Sequence, residues 1–329
     1  LDALEKEFMQ ATLIYNPNAG INGQLSPDKL LDALKQAGYD PIYAPTLQEN
    51  DLDEALAEAK DLVVVAGGDG SIRAVVTRLL GKDIRITPIP LGTANNLARM
   101  LTFNEKPLEI IAGLADPVDR NIDIWQVTTP HGPDYFLEAM GIGGGADVMD
   151  KYRPDEGRSV RRGLQMMLKT MNGYQPKFFH INVDGQDFSG SYYICEVMNT
   201  PTVGHHFVLA PDARPDDGLF DLVLVHASQR ASYLKFAKAV FTRSVARLPE
   251  VSVYRGHKLE IAWRGFPIHL DGVVKAGLDG VDVLSQPVHM EEPEMLDVAK
   301  PFIRVELAPY TAHFLVPKVA AVEKNELPV

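Results

Sequence analysis

The residues most suited to chemistry are Gly67, Gly68, Asp69, Gly70, Ser71, Ile72 and Arg73, which follow the apolar run Asp61–Ala66. A valine-rich run of that length reads as a parallel strand covered on both faces. The three glycines at its carboxyl end let backbone approach a ligand closely. Ser71 is expected to cap a helix whose apolar positions are Ile72, Val75, Val76, Leu79 and Leu80. A strand, a glycine turn and a helix N-terminus together form an anion site, because N–H groups and the helix dipole both favour phosphate. Asp69 is the anomaly. A carboxylate beside phosphate requires an intervening cation or proton, so the loop points to phosphate plus Mg²⁺ chemistry.

Two further polar turns recur in the same setting. Asn16-Pro17-Asn18-Ala19-Gly20 ends the strand pattern Ala11–Tyr15, and Pro90-Leu91-Gly92-Thr93-Ala94-Asn95 ends Ile84–Ile89. Each alone is an ordinary turn; three in order, each at a strand end, are a strong signal. Downstream, Asp123 lies in Asn121–Ile124, near the expected domain junction. The segment Leu209–Asp221 holds Asp212, Asp216, Asp217 and Asp221. It reads either as a solvated acidic turn or, preferably, as a hard-cation site, since carboxylates and carbonyl oxygens suit Mg²⁺.

The elements that must position these residues alternate. Strand and helix patterns run from residue 10 to about 125: Ser26-Pro27 opens a helix that Gly38 ends, Pro41–Ala44 is a short strand, and residues 51–60 are helical. This order implies a parallel sheet with helices on both faces and ligands at the carboxyl ends of its strands. From about residue 128 the pattern becomes mainly antiparallel. Phe179–Val183 and Phe188–Val197 flank the hairpin signal Asp184-Gly185, and Leu219–Val225, Lys258–Trp263 and Pro267–Leu270 are further strands. Helices are expected near 158–172 and 229–247. Ile303–Leu307 and His313–Val316 read as two tail strands that return to the first domain.

The 329 residues carry a net charge of −12, which argues against a general nucleic-acid binder. The single cysteine, Cys195, excludes an intrachain disulfide and a cysteine-cluster metal site, as suits a reducing cytoplasm. No run approaches the ~18 apolar residues of a membrane span. The start, Leu1–Phe8, is acidic and does not read as a signal peptide; the first methionine is Met9.

These motifs together, with Leu270-Asp271-Gly272, resemble the diacylglycerol kinase catalytic-domain family. The likeness is to its soluble bacterial lipid kinases, which are related to sphingosine and ceramide kinases, and runs from Met9 to about residue 320. It implies an α/β plus β fold. A Rossmann-like parallel-sheet nucleotide-binding domain of NAD kinase/diacylglycerol kinase type would span 9–126, rejoined by about 302–329. A mainly antiparallel β domain for the lipid would span 127–301, with ATP in the cleft between. By the resemblance, Asn16 to Gly20, Thr46, residues 67–73, Thr93 and Asn95 contact ATP. Asp217 and the carbonyls of Arg214 and Leu219 hold Mg²⁺, and Asp69 and Asp123 belong to a water–Mg²⁺ network near the transferred phosphate.

The departures from the family pattern are specific. Its last motif is Asp-Gly-Glu, the glutamate being the base for the lipid hydroxyl; here it is Asp271-Gly272-Val273. Leu278–Val281 also lacks glutamate. Asp271, Asp279 or the Glu291-Glu292 region are the replacement candidates. Asn96 stands where the family has aspartate, and Arg73-Ala74 where it favours Asn-Glu. Three readings follow. The first is an ATP- and Mg²⁺-dependent lipid kinase phosphorylating a diacylglycerol-like hydroxyl. The second is a catalytically impaired relative that binds nucleotide or lipid, and the third an NAD kinase-like enzyme. A dehydrogenase is disfavoured, since no Gly-x-Gly-x-x-Gly follows the first strand.

Residues 229–248 carry five basic and no acidic side chains, and 157–171 are similar. They read as core helices with basic outer faces, able to meet an anionic membrane surface. The expected setting is cytoplasmic and peripheral at the membrane, with the lipid as partner, no nucleic acid, and a homodimer as an open expectation.

Overall fold

The structure is a computed structural model. It describes residues 8–17, 25–46, 50–102, 105–151, 174–204, 207–227, 238–239, 242, 244–263, 265–275 and 302–318. The chain divides into two compact units, residues 1–122 with 310–329, and residues 123–309.

The first unit follows the alternating pattern. β1 (Gln10–Tyr15), α1 (Pro27–Gln36), β2 (Asp40–Pro45), α2 (Asp51–Ala57), β3 (Leu62–Gly67), α3 (Asp69–Arg78), β4 (Arg85–Pro90), α4 (Asn96–Thr102) and α5 (Pro107–Gly113) come in turn. Ser26 caps α1 by accepting from the Lys29 N–H, and Gly38, at φ 92°, follows its end. The strands pair in parallel in the order β4-β3-β1-β2. The C-terminal strand, Phe302–Pro317, adds beside β4 through Phe314 and Ile86. The Thr87 hydroxyl donates to the Leu315 carbonyl at 2.6 Å.

β3 explains the buried reading of its valines. Leu62, Val64 and Ala66 share a core with Leu30 and Leu34 of α1 and Ile110 and Ile111 of α5. Val63 and Val65 point the other way by the pleat and are equally inaccessible. Helix α3 packs on β3, and α2 on α3.

β5 (Pro117–Thr129) enters the second unit. It is followed by β6 (Gly132–Phe136), β7 (Ala139–Gly143), α6 (Gly144–Lys151), β8 (Lys177–Phe179), β9 (Ile181–Val183), β10 (Gln186–Asp187) and β11 (Gly190–Met198). Then come β12 (Thr202–Val203), β13 (Phe207–Val208), β14 (Phe220–His226), a 3₁₀ turn (Val245–Arg247), β15 (Val251–Gly256), β16 (Lys258–Ala262), β17 (Ile268–Leu270), β18 (Val273–Lys275) and β19, the C-terminal strand. One antiparallel sheet runs β15-β14-β11-β7-β17-β18. Facing it are β10-β9-β16 with the first half of β19. The core between them is apolar: Trp125, Phe136, Phe179, Phe220, Ile261 and Val305 belong to it. This is sandwich packing.

Several expectations are corrected in detail. The Asp184-Gly185 turn forms, with φ of 50° and 86° as a two-residue hairpin requires. Its second arm is only Gln186–Asp187; the chain then leaves β9 and joins the other sheet as β11. The two tail strands are one 16-residue strand. Pro309, which lacks an N–H, falls between the stretch paired with β16 and the stretch beside β4. Of the helix expected at 229–247, only residues 238–239, 242 and 244–247 are described, and its last turn is 3₁₀. The basic segment 158–172, Asp279 and Glu291-Glu292 lie outside the described residues. Among the described residues no helix is long and apolar enough to cross a membrane.

Candidate functional site

In the first unit the polar turns gather at the carboxyl ends of adjacent parallel strands. β3 runs on to Gly67 because Gly67 is in register with Pro90 of β4. Gly68 is extended and takes the N-cap position, so α3 starts at Asp69. Ser71 therefore sits inside the first turn and is not the cap. Its N–H and that of Ile72 both donate to the Gly68 carbonyl, at 2.9 and 3.1 Å. Ile72 is fully buried, a core residue among those expected at the ligand.

The two glycine turns touch backbone to backbone. A Cβ on Gly92 would lie 2.6 Å from the Gly68 Cα and 2.7 Å from Asn95 Oδ1. A Cβ on Gly67 would lie 2.6 Å from both Cβ and Oγ of Ser71. Asn95, at φ 53°, closes its own turn: Oδ1 accepts from the Gly92 N–H and Nδ2 donates to the Gly92 carbonyl. Asp69 Oδ1 accepts from the Leu97 N–H at 3.2 Å, tying the start of α3 to the start of α4. Asn16 is anchored through its N–H to the Ala66 carbonyl, and its Nδ2 reaches Ser71 Oγ at 3.5 Å. Thr46 is buried and donates to the Tyr15 carbonyl. Pro17 is exposed; Thr93 and Arg73 are half-buried. Asn18, Ala19 and Gly20 lie outside the described residues. What is brought together is a rim of N–H groups, one carboxylate and two helix N-termini.

The second unit gathers the acidic residues. The Asp123 N–H donates to the Pro215 carbonyl at 2.6 Å, and its Oδ2 accepts from the Gly218 N–H at 2.7 Å. Burial pushes the Asp123 carboxyl above the usual carboxylate range; the Gly218 N–H opposes this, while Asp217 and Asp216 add to it. Asp217 accepts from the Leu219 N–H and from the Arg255 guanidinium. Arg255 Nε also lies 3.7 Å from Asp221 Oδ2, a buried oxygen with no hydrogen-bond partner. Burial raises the Asp221 carboxyl to about 6 despite Arg255. Among the described residues no three acidic, histidine or cysteine side chains converge as a metal cage. A Mg²⁺ site of one carboxylate plus backbone carbonyls and water needs no such cage. The unsatisfied Asp221 oxygen and the crowded negative charge fit a hard cation.

Asp271 has a different surrounding. It begins the tight turn between β17 and β18, with φ of 50° there and 78° at Gly272. Its carboxylate accepts three backbone N–H groups, from Leu137, Glu138 and Ala139, at 2.7–3.0 Å. Val273 is 43 % exposed at the start of β18.

Three features escaped the sequence reading. Arg255 is one. Asn199 is another: fully buried, it bonds Trp125, Asp123 and Leu137 through one side-chain amide. The third is a buried pair, His269 Nε2 and Glu196 Oε1, 2.6 Å apart. Both residues flank Gly141 in register, on β17 and β11. Burial lowers the His269 pKa, but the Glu196 and Asp271 charges outweigh it and hold the imidazole above its ordinary value. Each partner of these residues is distant in sequence, so no local pattern marks them.

Residues 10–127 match the family described as diacylglycerol kinase catalytic domain, and 142–300 match the YegS C-terminal NAD kinase beta sandwich-like domain. A diacylglycerol kinase of Bacillus subtilis is 30% identical over 310 residues, covering 88% of this chain and 99% of that protein. The chain belongs to the diacylglycerol kinase family. A Mycobacterium tuberculosis diacylglycerol kinase is 24% identical over 277 residues, 81% of this chain and 89% of that one. Among solved structures, a putative diacylglycerol kinase from Bacillus anthracis superposes with TM-score 0.70 at 18% identity, covering 96% and 98% of the two chains. An NAD kinase from Archaeoglobus fulgidus, in complex with ATP, gives 0.53 at 14% identity over 94% of each. These last two show the fold, which this family shares with NAD kinases. Membership supports a lipid kinase of the phosphotransferase class.

Proposed function

We propose that this family member is an ATP- and Mg²⁺-dependent kinase that phosphorylates the hydroxyl of a diacylglycerol-like lipid. The observation that carries the reading is the contact between the Gly67–Ser71 and Gly92–Asn95 turns at the ends of adjacent parallel strands. Packed backbone turns beneath two helix N-termini suit an anionic ligand, a polyphosphate among them. Phosphoryl transfer asks a protein chiefly for positioning and charge neutralisation.

In this reading the N–H groups of the two turns hold the phosphates, and Asn16 and Thr46 border them. Asp69, whose Oδ1 accepts from the Leu97 N–H, would by the family resemblance belong to a metal-bound water network. Asp217 with the carbonyls of Arg214 and Leu219 would hold Mg²⁺, which when bound offsets phosphate charge. Asp123 fixes the Pro215–Gly218 stretch of that loop. Asp271 is a poor substitute base, because its two oxygens are committed to three N–H groups. Its role is to position the turn before Val273. A base normally contributes on the order of 10²–10⁴ in rate, so slow turnover is expected. The impaired-relative reading rests on the same valine. Basic segments 157–171 and 229–248 would bring the protein to anionic lipid surfaces.

The test is incubation of the full chain with γ-labelled ATP, Mg²⁺ and a mixed lipid extract. A labelled lipid is expected. ATP uptake by calorimetry without lipid label supports the impaired relative; no ATP uptake at all overturns both.

A further inference from the structure

We propose that Asn199 is a positioning residue whose side-chain amide joins the acidic loop to the Asp271 turn. The inference rests on the kinase reading above for its functional meaning, but its geometry is independent of it.

The amide orientation is set by its partners. The Trp125 indole can only donate, and it does so to Oδ1 at 2.9 Å. The Asp123 and Leu137 carbonyls can only accept, and Nδ2 donates to them at 3.0 and 2.7 Å. The Asn199 backbone N–H donates to the Glu138 carbonyl at 2.8 Å. Two carbonyl oxygens facing one another repel unless a double donor stands between them. The side-chain amide is a neutral double donor that also accepts the indole proton at its other end.

Each partner leads to a different proposed element. On one side Asp123 holds the acidic loop, through the Pro215 carbonyl and the Gly218 N–H. On the other, the N–H groups of Leu137, Glu138 and Ala139 close on the Asp271 carboxylate, and the Asp271 N–H returns to the Ala139 carbonyl at 2.8 Å. Gly218, Asp123, Asn199, Leu137 and Asp271 are thus consecutive links, each a hydrogen bond of 2.7–3.0 Å. A buried asparagine of purely local use would stabilise the sandwich as a whole. A joint would instead make the two ends loosen together.

The experiment is amide hydrogen exchange on the full chain, free of metal and lipid, in Asn199→Asp and Trp125→Phe. The first removes both Nδ2 donors; the second keeps the asparagine but removes the group that orients it, and serves if the first does not fold. Exchange at Gly218 and at Leu137–Ala139 is expected to speed together by at least about tenfold, with β14 amides unchanged. Under turnover, kcat is expected to fall at least about tenfold while KM for ATP stays within about twofold. Loosening of one end alone, or uniform loosening that includes β14, overturns the proposal. Coupled exchange in a chain whose wild type transfers no phosphate would leave the joint standing and sink the kinase reading instead.

Discussion

Glycine inside a strand ordinarily weakens it, and alanine there is expected to stabilise by roughly 0.5–1 kcal/mol. Gly141→Ala should do the opposite. A Cβ at this position would lie 2.1 Å from Glu196 Oε2 and 2.3 Å from His269 Nε2, over an ångström inside ordinary contact for each. Neither side chain can retreat into solvent, since their exposures are 3% and 0%. The pair must separate or the strands must shift. Breaking a buried ion pair costs about 3–5 kcal/mol, so after the backbone gain the net loss is about 2–4 kcal/mol. The assay is urea unfolding followed by tryptophan fluorescence. Both tryptophans, Trp125 and Trp263, are buried in the second unit, so the signal reports that unit alone. With a urea slope of about 1–3 kcal/mol per molar, the midpoint should fall by about 1 M or more. Adding Gly141→Ala to a Glu196→Ala/His269→Ala background should cost little, because the obstructing atoms are gone. An unchanged or raised midpoint for the single variant would refute the argument that the glycine exists to admit the pair.

Three other outcomes are expected. The folded-state His269 pKa lies above the ordinary 6.5, so its contribution to stability is full below about pH 6.5. It is lost as pH rises through the folded value; the urea midpoint should therefore fall on going alkaline, and His269→Gln should flatten that slope. Gly92→Ala would drive a methyl to 2.6 Å from the Gly68 Cα, and ATP affinity by calorimetry should drop at least about tenfold, with an unchanged Kd counting against the glycine turns as the phosphate site. Val273→Glu supplies a carboxylate at an exposed position after the Asp271 turn; lipid phosphorylation should rise by up to about 10²–10⁴, and no rise would show that the rate is limited elsewhere.

The features legible in the sequence were those governed by local chemistry. The valine run of β3, the proline and serine opening α1, and the Asp184-Gly185 turn each follow from steric rules acting within a few residues. α3 starts three residues before the point that Ser71 as cap predicts, because Gly68, extended directly after the Gly67–Pro90 pairing, takes the cap position. The tail read as two strands because its neighbours change along its length, and a change of neighbour is not written in the tail itself. Glu196 sits in an otherwise ordinary strand segment. Only the return of β17 beside β7 reveals that a histidine meets it over a glycine. Asn199 and Arg255 were silent for the same reason: their meaning lies in distant carbonyls and carboxylates.

The last residues of β19 bear on how the protein is made. Phe314 and Leu315 close the sheet that begins at Gln10, through Ile86 and Thr87. During translation the N-terminal half emerges first, yet it stays one strand short until Tyr310–Pro317 have been made. A fragment cut at residue 127, where the catalytic-domain match ends, would leave β4 as a bare border with Ile86 lacking its phenylalanine neighbour. Expression trials of that half alone should give aggregates, whereas appending residues 310–329 through a flexible linker should restore soluble material.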